Sequence, residues 1–173
     1  MDWEFGMFFH FGIRSFYPGH DDWDGLPMPA SAFNPAHLDC GSWVRAAKNA
    51  GAKYCIFVTK HHDGFANWPS KYSDYSVAQS PWKDGKGDVV KEFTDACRRY
   101  NMKVGLYYSP AQWGGTVRFD HPEEYDDYFE NQVSELLTNY GTIDYLWFDG
   151  CGSENHEYDK DRIIGVIRGL QPE

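Results

Sequence analysis

The chain has 173 residues, of which 42 % are hydrophobic and 18 % aromatic, and its formal net charge at pH 7 is −10. This length suffices for one domain with a hydrophobic core, whereas the negative charge disfavours nucleic acids and anionic membranes, which bind surfaces rich in Lys and Arg. No apolar run approaches the roughly 20 residues that span a bilayer, and the first residues lack the pattern of a signal peptide. These properties favour a neutral small-molecule substrate and leave two locations open, the cytoplasm or secretion after processing.

Segments with the pattern of buried strands alternate with amphipathic helical segments along the chain. Strands are predicted at residues 5–13, 53–59, 103–108 and 143–148, and helices at about 40–50, 88–100, 122–140 and 159–170. The connections after the strands are long, and residues 14–38 and 60–86 are predicted as loops, whereas the connections after the helices are short. This alternation predicts an α/β fold with a parallel sheet and right-handed crossovers.

Two architectures fit four βα units. A (β/α)8 TIM barrel needs roughly 250 residues and carries its chemistry on the loops that follow its strands. Residues 1–173 would then be the N-terminal half of such a catalytic domain, with only the first four βα units present. The alternative is a small open, doubly wound sheet, but the first strand is not followed by a glycine-rich nucleotide-binding turn.

Polar side chains stand at the predicted end of every strand, where a parallel sheet gathers them on one side. The cluster contains His10, His61, His62, Tyr107, Tyr108 and Asp149, and it is flanked by Trp23, Trp68 and Trp113. Each has a structural alternative: a single His is often part of a core, Asp149 could cap the next segment, and the tryptophans could be packing lids. One of the two tyrosines must face away from the site, because neighbouring side chains on a strand point to opposite faces.

Two chemistries are compatible with this cluster. His10, His61, His62 and Asp149 form a plausible ligand set for zinc in a metal-dependent hydrolase, although adjacent imidazoles do not naturally share one ion. The other chemistry acts on sugars, with Asp149 as a nucleophile, imidazoles as hydrogen-bonding partners of hydroxyl groups, and aromatic rings against the sugar ring.

Five motifs carry a resemblance to a known family. They are FFHFGI at 8–13, AGAKY at 50–54, TKHHDGF at 59–65, WPSKYS at 68–73 and WFDG at 147–150. Together they resemble the α-L-fucosidases of glycoside hydrolase family 29 from about residue 5 to residue 150. The segment SPWKDGKGDVV at 80–90 is more similar to the branch that prefers α-1,3/1,4-linked fucose.

The resemblance implies a retaining exo-glycosidase with a (β/α)8 barrel, no metal and no cofactor, whose substrate is a fucosylated glycan. Asp149 matches the catalytic nucleophile of the family. His10, His61 and His62 match the imidazoles that hydrogen-bond the hydroxyl groups of fucose.

The resemblance also implies further substrate contacts. Asp22 and Trp23 stand where the family usually has Glu-Trp, and the shorter acid puts its hydroxyl contact in question. Trp68 is predicted as a substrate contact, with packing as its alternative. The family has a tyrosine at the end of strand three, and Tyr108 is predicted for this role in preference to Tyr107.

One catalytic group of the family has no counterpart. The acid/base glutamate follows the nucleophile by some tens of residues, and Glu154 and Glu157 match no such position. The prediction is therefore a half-barrel whose acid/base group lies beyond residue 173, and whose partner is the missing C-terminal half or, by self-association at unpaired sheet edges, a second copy. A non-catalytic fucose-binding half-barrel is the alternative.

Overall fold

All four predicted strands are present and form one parallel sheet. The computed structural model describes residues 3–21, 23–117, 119–154 and 156–172. The sheet has the order β1-β2-β3-β4, so every strand lies next to its neighbour in the chain. The strands are β1 (Gly6–Phe9), β2 (Tyr54–Lys60), β3 (Lys103–Tyr108) and β4 (Tyr145–Phe148).

Four helices connect and follow these strands, and polar caps explain where three of them begin. The helices are α1 (Cys40–Asn49), α2 (Val89–Arg99), α3 (Pro122–Asn139) and α4 (Lys160–Leu170). The carboxylates of Asp39, Asp88 and Asp159 each accept a backbone N–H of the first turn of α1, α2 and α4, which satisfies a donor that the helix leaves free. Short 3-10 turns at Ile13–Phe16, Ala30–Ala32, Val77–Gln79 and Trp82–Gly85 interrupt the long loops.

The helices cover one face of the sheet. Side chains of β2 and β3 such as Phe57 and Leu106 point into a core that contains the inner faces of all four helices. Residues of opposite parity, Ile56, Val58 and Tyr107, form a separate small cluster to which no helix contributes. A doubly wound sheet has helices on both faces, so the alternative architecture is wrong for the described residues.

The sheet is strongly curved, and the face without helices is concave. In a flat sheet the outer strands β1 and β4 would lie about 14 Å apart, three spacings of about 4.8 Å. Nevertheless, the ring centroids of Phe8 on β1 and Trp147 on β4 are 5.2 Å apart. Curvature with helices outside is the geometry of an arc of a β/α barrel.

Within the four described ranges, none of the helices combines the length and the apolar character needed to cross a bilayer.

Candidate active site

The carboxyl ends of the four strands bring His10, His61, His62 and Asp149 together, as the sequence predicted. The ring centroids of His10 and His61 are 4.7 Å apart, and those of His61 and His62 are 4.3 Å apart. His62 Nε2 lies 3.7 Å from Asp149 Oδ2. Residues 139 positions apart in the chain therefore share one site.

Asp149 is held as a carboxylate by donors on both oxygens. The Tyr107 hydroxyl donates to Oδ2 at 2.7 Å, and the Cys151 N–H donates to Oδ1 at 3.0 Å. Desolvation opposes ionisation, but it is outweighed chiefly by these two hydrogen bonds, so the pKa of Asp149 lies below its ordinary value. The side chain keeps 31 % of its surface exposed, so an ionised oxygen is accessible to a ligand.

The three imidazoles are neutral at physiological pH. Desolvation by burial lowers the pKa of all three, and the neighbouring rings and Arg14 add to this effect at His10 and His61. For His61 the pKa falls to about 3. A neutral imidazole has one donor and one acceptor nitrogen, which suits it to hydroxyl groups.

Hydrogen bonding assigns the tautomer of His62. Ser109 Oγ lies 2.6 Å from His62 Nδ1, and its hydroxyl donates to the Ala111 carbonyl at 2.5 Å. Because a hydroxyl has a single proton, Ser109 accepts from His62, and Nδ1 carries the imidazole proton. The Nε2 lone pair is then left on the side of Asp149, where it can accept a hydrogen bond from a hydroxyl group of a ligand.

Trp23 closes one side of this cluster. Its indole stacks on the His62 ring with centroids 4.9 Å apart and an angle of 27° between the planes, and it remains 37 % exposed. A Cβ at Gly152 would lie 2.2 Å from the indole, so the absence of a side chain there lets Trp23 approach the loop after Asp149. Asp22, the predicted neighbour of Trp23 in substrate binding, lies outside the described residues.

Two predicted substrate contacts lie elsewhere, and the structure corrects their placement. Trp68 is 1 % exposed and donates from Nε1 to Glu135 Oε2 at 2.9 Å, so it packs against α3, the second of its predicted alternatives. Tyr108 is fully buried, and its hydroxyl donates to Gln132 on α3 at 2.8 Å. Tyr107 is the tyrosine at Asp149, because alternation along β3 turns Tyr108 towards the helices.

Lys60 anchors the segment that presents the histidine pair. The side chain is fully buried, and Nζ donates to Gln112 Oε1 at 2.8 Å and lies 4.2 Å from the ring centroid of Tyr108. Desolvation lowers the pKa of this amine well below its ordinary value. These contacts on the convex side fix the end of β2, and the following His61 and His62 emerge on the other side.

The described residues give no support to a metal centre. Among them, no three His, Cys, Asp or Glu side chains are grouped so that they could hold one ion. His10, His61, His62 and Asp149 thus share the site without the grouping that a single ion needs.

Comparison with known proteins identifies the family. The family model described as alpha-L-fucosidase matches residues 25–173. The chain belongs to the α-L-fucosidase family. It is 44 % identical to a putative α-L-fucosidase of Bacteroides ovatus, with a TM-score of 0.89 over 98 % of this chain and 30 % of that one. A glycoside hydrolase family 29 member from an unknown rumen bacterium is 40 % identical, with a TM-score of 0.87 over 99 % of this chain and 33 % of that one.

The curated relatives are longer than this chain. α-L-Fucosidase 1 of Arabidopsis thaliana is 39 % identical over 183 residues, which cover 99 % of this chain and 35 % of the relative. The chain thus spans about a third of the length of this fucosidase. The resemblance read from the five motifs is confirmed at the level of the family.

Proposed function

We propose that the protein is a retaining α-L-fucosidase and that this chain forms the N-terminal half of its (β/α)8 catalytic domain. The observation that carries the proposal is Asp149, a carboxylate with a lowered pKa and two hydrogen-bond donors, beside three neutral imidazoles at the carboxyl ends of parallel strands. This is the edge at which barrel enzymes carry their chemistry. Membership of the α-L-fucosidase family supports the choice of sugar.

Asp149 acts as the nucleophile. One carboxylate oxygen attacks the anomeric carbon of fucose while the bond to the leaving oxygen breaks, and a second carboxylic acid protonates that oxygen. In the second step, the conjugate base of this carboxylic acid takes a proton from a water molecule. The water oxygen attacks the anomeric carbon, and the bond between fucose and Asp149 breaks. We assign the second carboxylic acid to the part of the barrel that follows residue 173.

Tyr107 keeps the nucleophile oriented and ionised. Burial and the Asp149 carboxylate raise the pKa of its hydroxyl, so the proton stays on Tyr107 and the group remains a donor. The hydrogen bond must weaken as negative charge moves from the carboxylate to the new ester bond.

The imidazoles and Trp23 bind the sugar. His10, His61 and His62 exchange hydrogen bonds with the hydroxyl groups of fucose, and the defined tautomer of His62 offers Nε2 as an acceptor. Fucose is a 6-deoxy sugar with a methyl group in place of the hydroxymethyl group of a hexose, and an aromatic surface such as that of Trp23 buries this methyl group with a gain of about 1 kcal/mol.

The linkage that is cleaved belongs to the proposal as well. Residues 80–90 resemble the branch of the family that prefers α-1,3- and α-1,4-linked fucose. A related enzyme, α-L-fucosidase AlfC, is 29 % identical and has been crystallised in complex with Fuca(1,6)GlcNAc. Parallel assays with α-1,3-, α-1,4- and α-1,6-linked disaccharides decide between these preferences.

The test uses the full natural polypeptide that contains this chain and a nitrophenyl α-L-fucoside. Asp149→Asn removes the charge but keeps the shape, and we expect kcat/KM to fall at least 1000-fold, on the order of 4 kcal/mol of transition-state stabilisation. Asp95→Asn is the control, because Asp95 is exposed on α2 and pairs only with Lys91 in the described structure. Equal activity of the Asp149 variant and the parent would refute the nucleophile.

Product stereochemistry and binding complete the test. NMR of the first product is expected to show the α-anomer, since retention requires the covalent intermediate. If the natural polypeptide binds fucose in calorimetry but releases none from the fucoside, the non-catalytic binding alternative is correct.

A further inference from the structure

A second groove opens beside the candidate active site. It has a volume of about 350 Å³ and lies between the loops that follow β1, β2 and β3. Its walls are built from Pro27, Met28, Pro29, Tyr75 and Trp113 together with glycine backbone. No charged side chain lines it among the described residues.

The groove begins where the nucleophile site ends. The Trp113 N–H donates to the His62 carbonyl at 2.8 Å, so the two residues are joined by a direct backbone hydrogen bond. On the opposite side, Trp23 stacks on His62, and the groove residue Gly25 follows it by two positions. The groove therefore adjoins the part of the site that His62 and Trp23 form.

The walls are rigid although all three are loops. The Tyr75 hydroxyl donates to the Met28 carbonyl at 2.6 Å, and Gln112 Nε2 donates to the Gly114 carbonyl at 2.9 Å. The backbones also touch, because a Cβ at Gly114 would lie 2.1 Å from the Asp63 carbonyl oxygen. Pockets that bind small molecules are usually preformed in this way.

We propose that this groove binds the sugar residue to which the fucose is attached, with Trp113 as its platform. The inference rests on the proposed fucosidase function. A neutral lining of indole, phenol and proline rings fits the apolar face of a pyranose. The volume is at the lower end of ligand pockets, which suits a single sugar residue.

The experiment compares two substrates of the full natural polypeptide. α-L-Fucosyl fluoride has a leaving group of one atom, which leaves the groove empty, whereas a fucosylated N-acetylglucosamine disaccharide fills it. Trp113→Ala is expected to lower kcat/KM for the disaccharide at least 10-fold and to change kcat/KM for the fluoride less than 2-fold. Trp113→Tyr keeps a flat ring and is expected to retain most of the activity on the disaccharide.

The outcomes separate this inference from the proposed function. Equal losses on both substrates would show that Trp113 supports the nucleophile site, and unchanged activity on the disaccharide would show that no sugar uses the groove. Either result overturns the inference while the fucosidase function stands. A parent polypeptide that does not hydrolyse the fluoride would overturn the proposed function and this assignment with it.

Discussion

At the scale of single residues, two consecutive tyrosines on β3 have different roles. Tyr107 donates to Asp149 on the concave face, whereas Tyr108 donates to Gln132 on the helical side. The two side chains have the same chemistry and nearly the same burial. Their difference lies only in which face of the strand they occupy, and this makes them a matched pair for substitution.

Tyr107→Phe is expected to impair catalysis and to shift its pH dependence. Without this donor the Asp149 carboxylate loses its fixed orientation, and misplacement of a reacting group by about 1 Å can cost about 100-fold, so kcat/KM should fall about 10- to 100-fold. Because the hydroxyl helps to lower the pKa of Asp149, the acid limb of the kcat/KM profile should move to higher pH. Rates on a nitrophenyl fucoside between pH 3 and 8 measure both effects.

Tyr108→Phe is the control for this prediction. It leaves Gln132 with one hydrogen bond fewer in the core, which should reduce the free energy of unfolding by about 1–3 kcal/mol, while the acid limb stays in place. An acid limb that moves with Tyr108→Phe and not with Tyr107→Phe would contradict the assignment of the two faces.

Asp63 predicts a second pH effect, on stability. Its carboxyl is 4 % exposed, and desolvation raises its pKa from 3.8 to about 6. A raised pKa means that the unfolded chain ionises first, so the contribution of Asp63 to stability is present below pH 3.8 and is lost as the pH rises to about 6. Over this interval the loss is about 3 kcal/mol.

Asp63→Asn removes this titration but keeps Oδ1 as an acceptor for the Phe65 N–H. The free energy of unfolding, measured by denaturant titration at pH 4 and pH 7, should therefore favour the variant over the parent more at pH 7 than at pH 4. The same difference at both pH values would mean that Asp63 does not titrate in this range.

At the scale of elements, the sequence predicts helices better than strand ends. Cap residues such as Asp88 mark where a helix begins, and the predicted and observed starts agree within one residue. The first strand is predicted over 5–13 but ends at Phe9, because the apolar aromatic run continues through residues that have left the sheet before the 3-10 helix begins at Ile13. The apolar character of a segment predicts that its residues are buried, but it does not predict that they pair in a sheet.

In the candidate site, too, some contacts can be predicted from the sequence and others cannot. The apolar alternation of Val104, Leu106 and Tyr108 already assigns Tyr108 to the helical face, so the choice of Tyr107 was available from the sequence. The stacking of Trp23 on His62 could not be predicted from the sequence, because it depends on the path of a loop that no local pattern encodes. Loop contacts between residues distant in sequence arise only in the folded chain.

The loops themselves are expected to be sensitive to a single added methyl group. Gly114→Ala places a Cβ against the Asp63 carbonyl oxygen, and relief of this clash requires the loops after β2 and β3 to separate. We expect a loss of about 1–3 kcal/mol in the free energy of unfolding. Thermal unfolding followed by circular dichroism measures it.

Gly165→Ala provides the opposite case in the same chain. Gly165 lies within α4, and a Cβ there would meet nothing within 4 Å. Replacement should stabilise the protein by about 0.5–1 kcal/mol, because glycine costs this much in a helix. If both variants shifted stability in the same direction, the close approach of the two loops would not govern the effect at Gly114.

At the scale of the whole molecule, the curved sheet presents two surfaces of different character. The convex face is sealed by helices, whereas the concave face and the outer edge of β4 expose large aromatic rings. Phe8 is 46 % exposed, Trp147 42 % and Phe148 38 %. Apolar surface beside a strand edge favours association with another strand, and in the proposed barrel the following βα units would cover it.

Residues 1–173 expressed alone are therefore predicted to self-associate. The average mass measured by sedimentation should rise with protein concentration, and Trp147→Lys should lower it by placing a charge on the apolar concave face. Leu26→Lys is the control, since Leu26 is 51 % exposed but lies in the loop after β1.

In the full natural polypeptide, Trp147 should instead be shielded from a fluorescence quencher. A chain that stays monomeric at every concentration would show that these rings are compatible with water and do not require further strands to cover them.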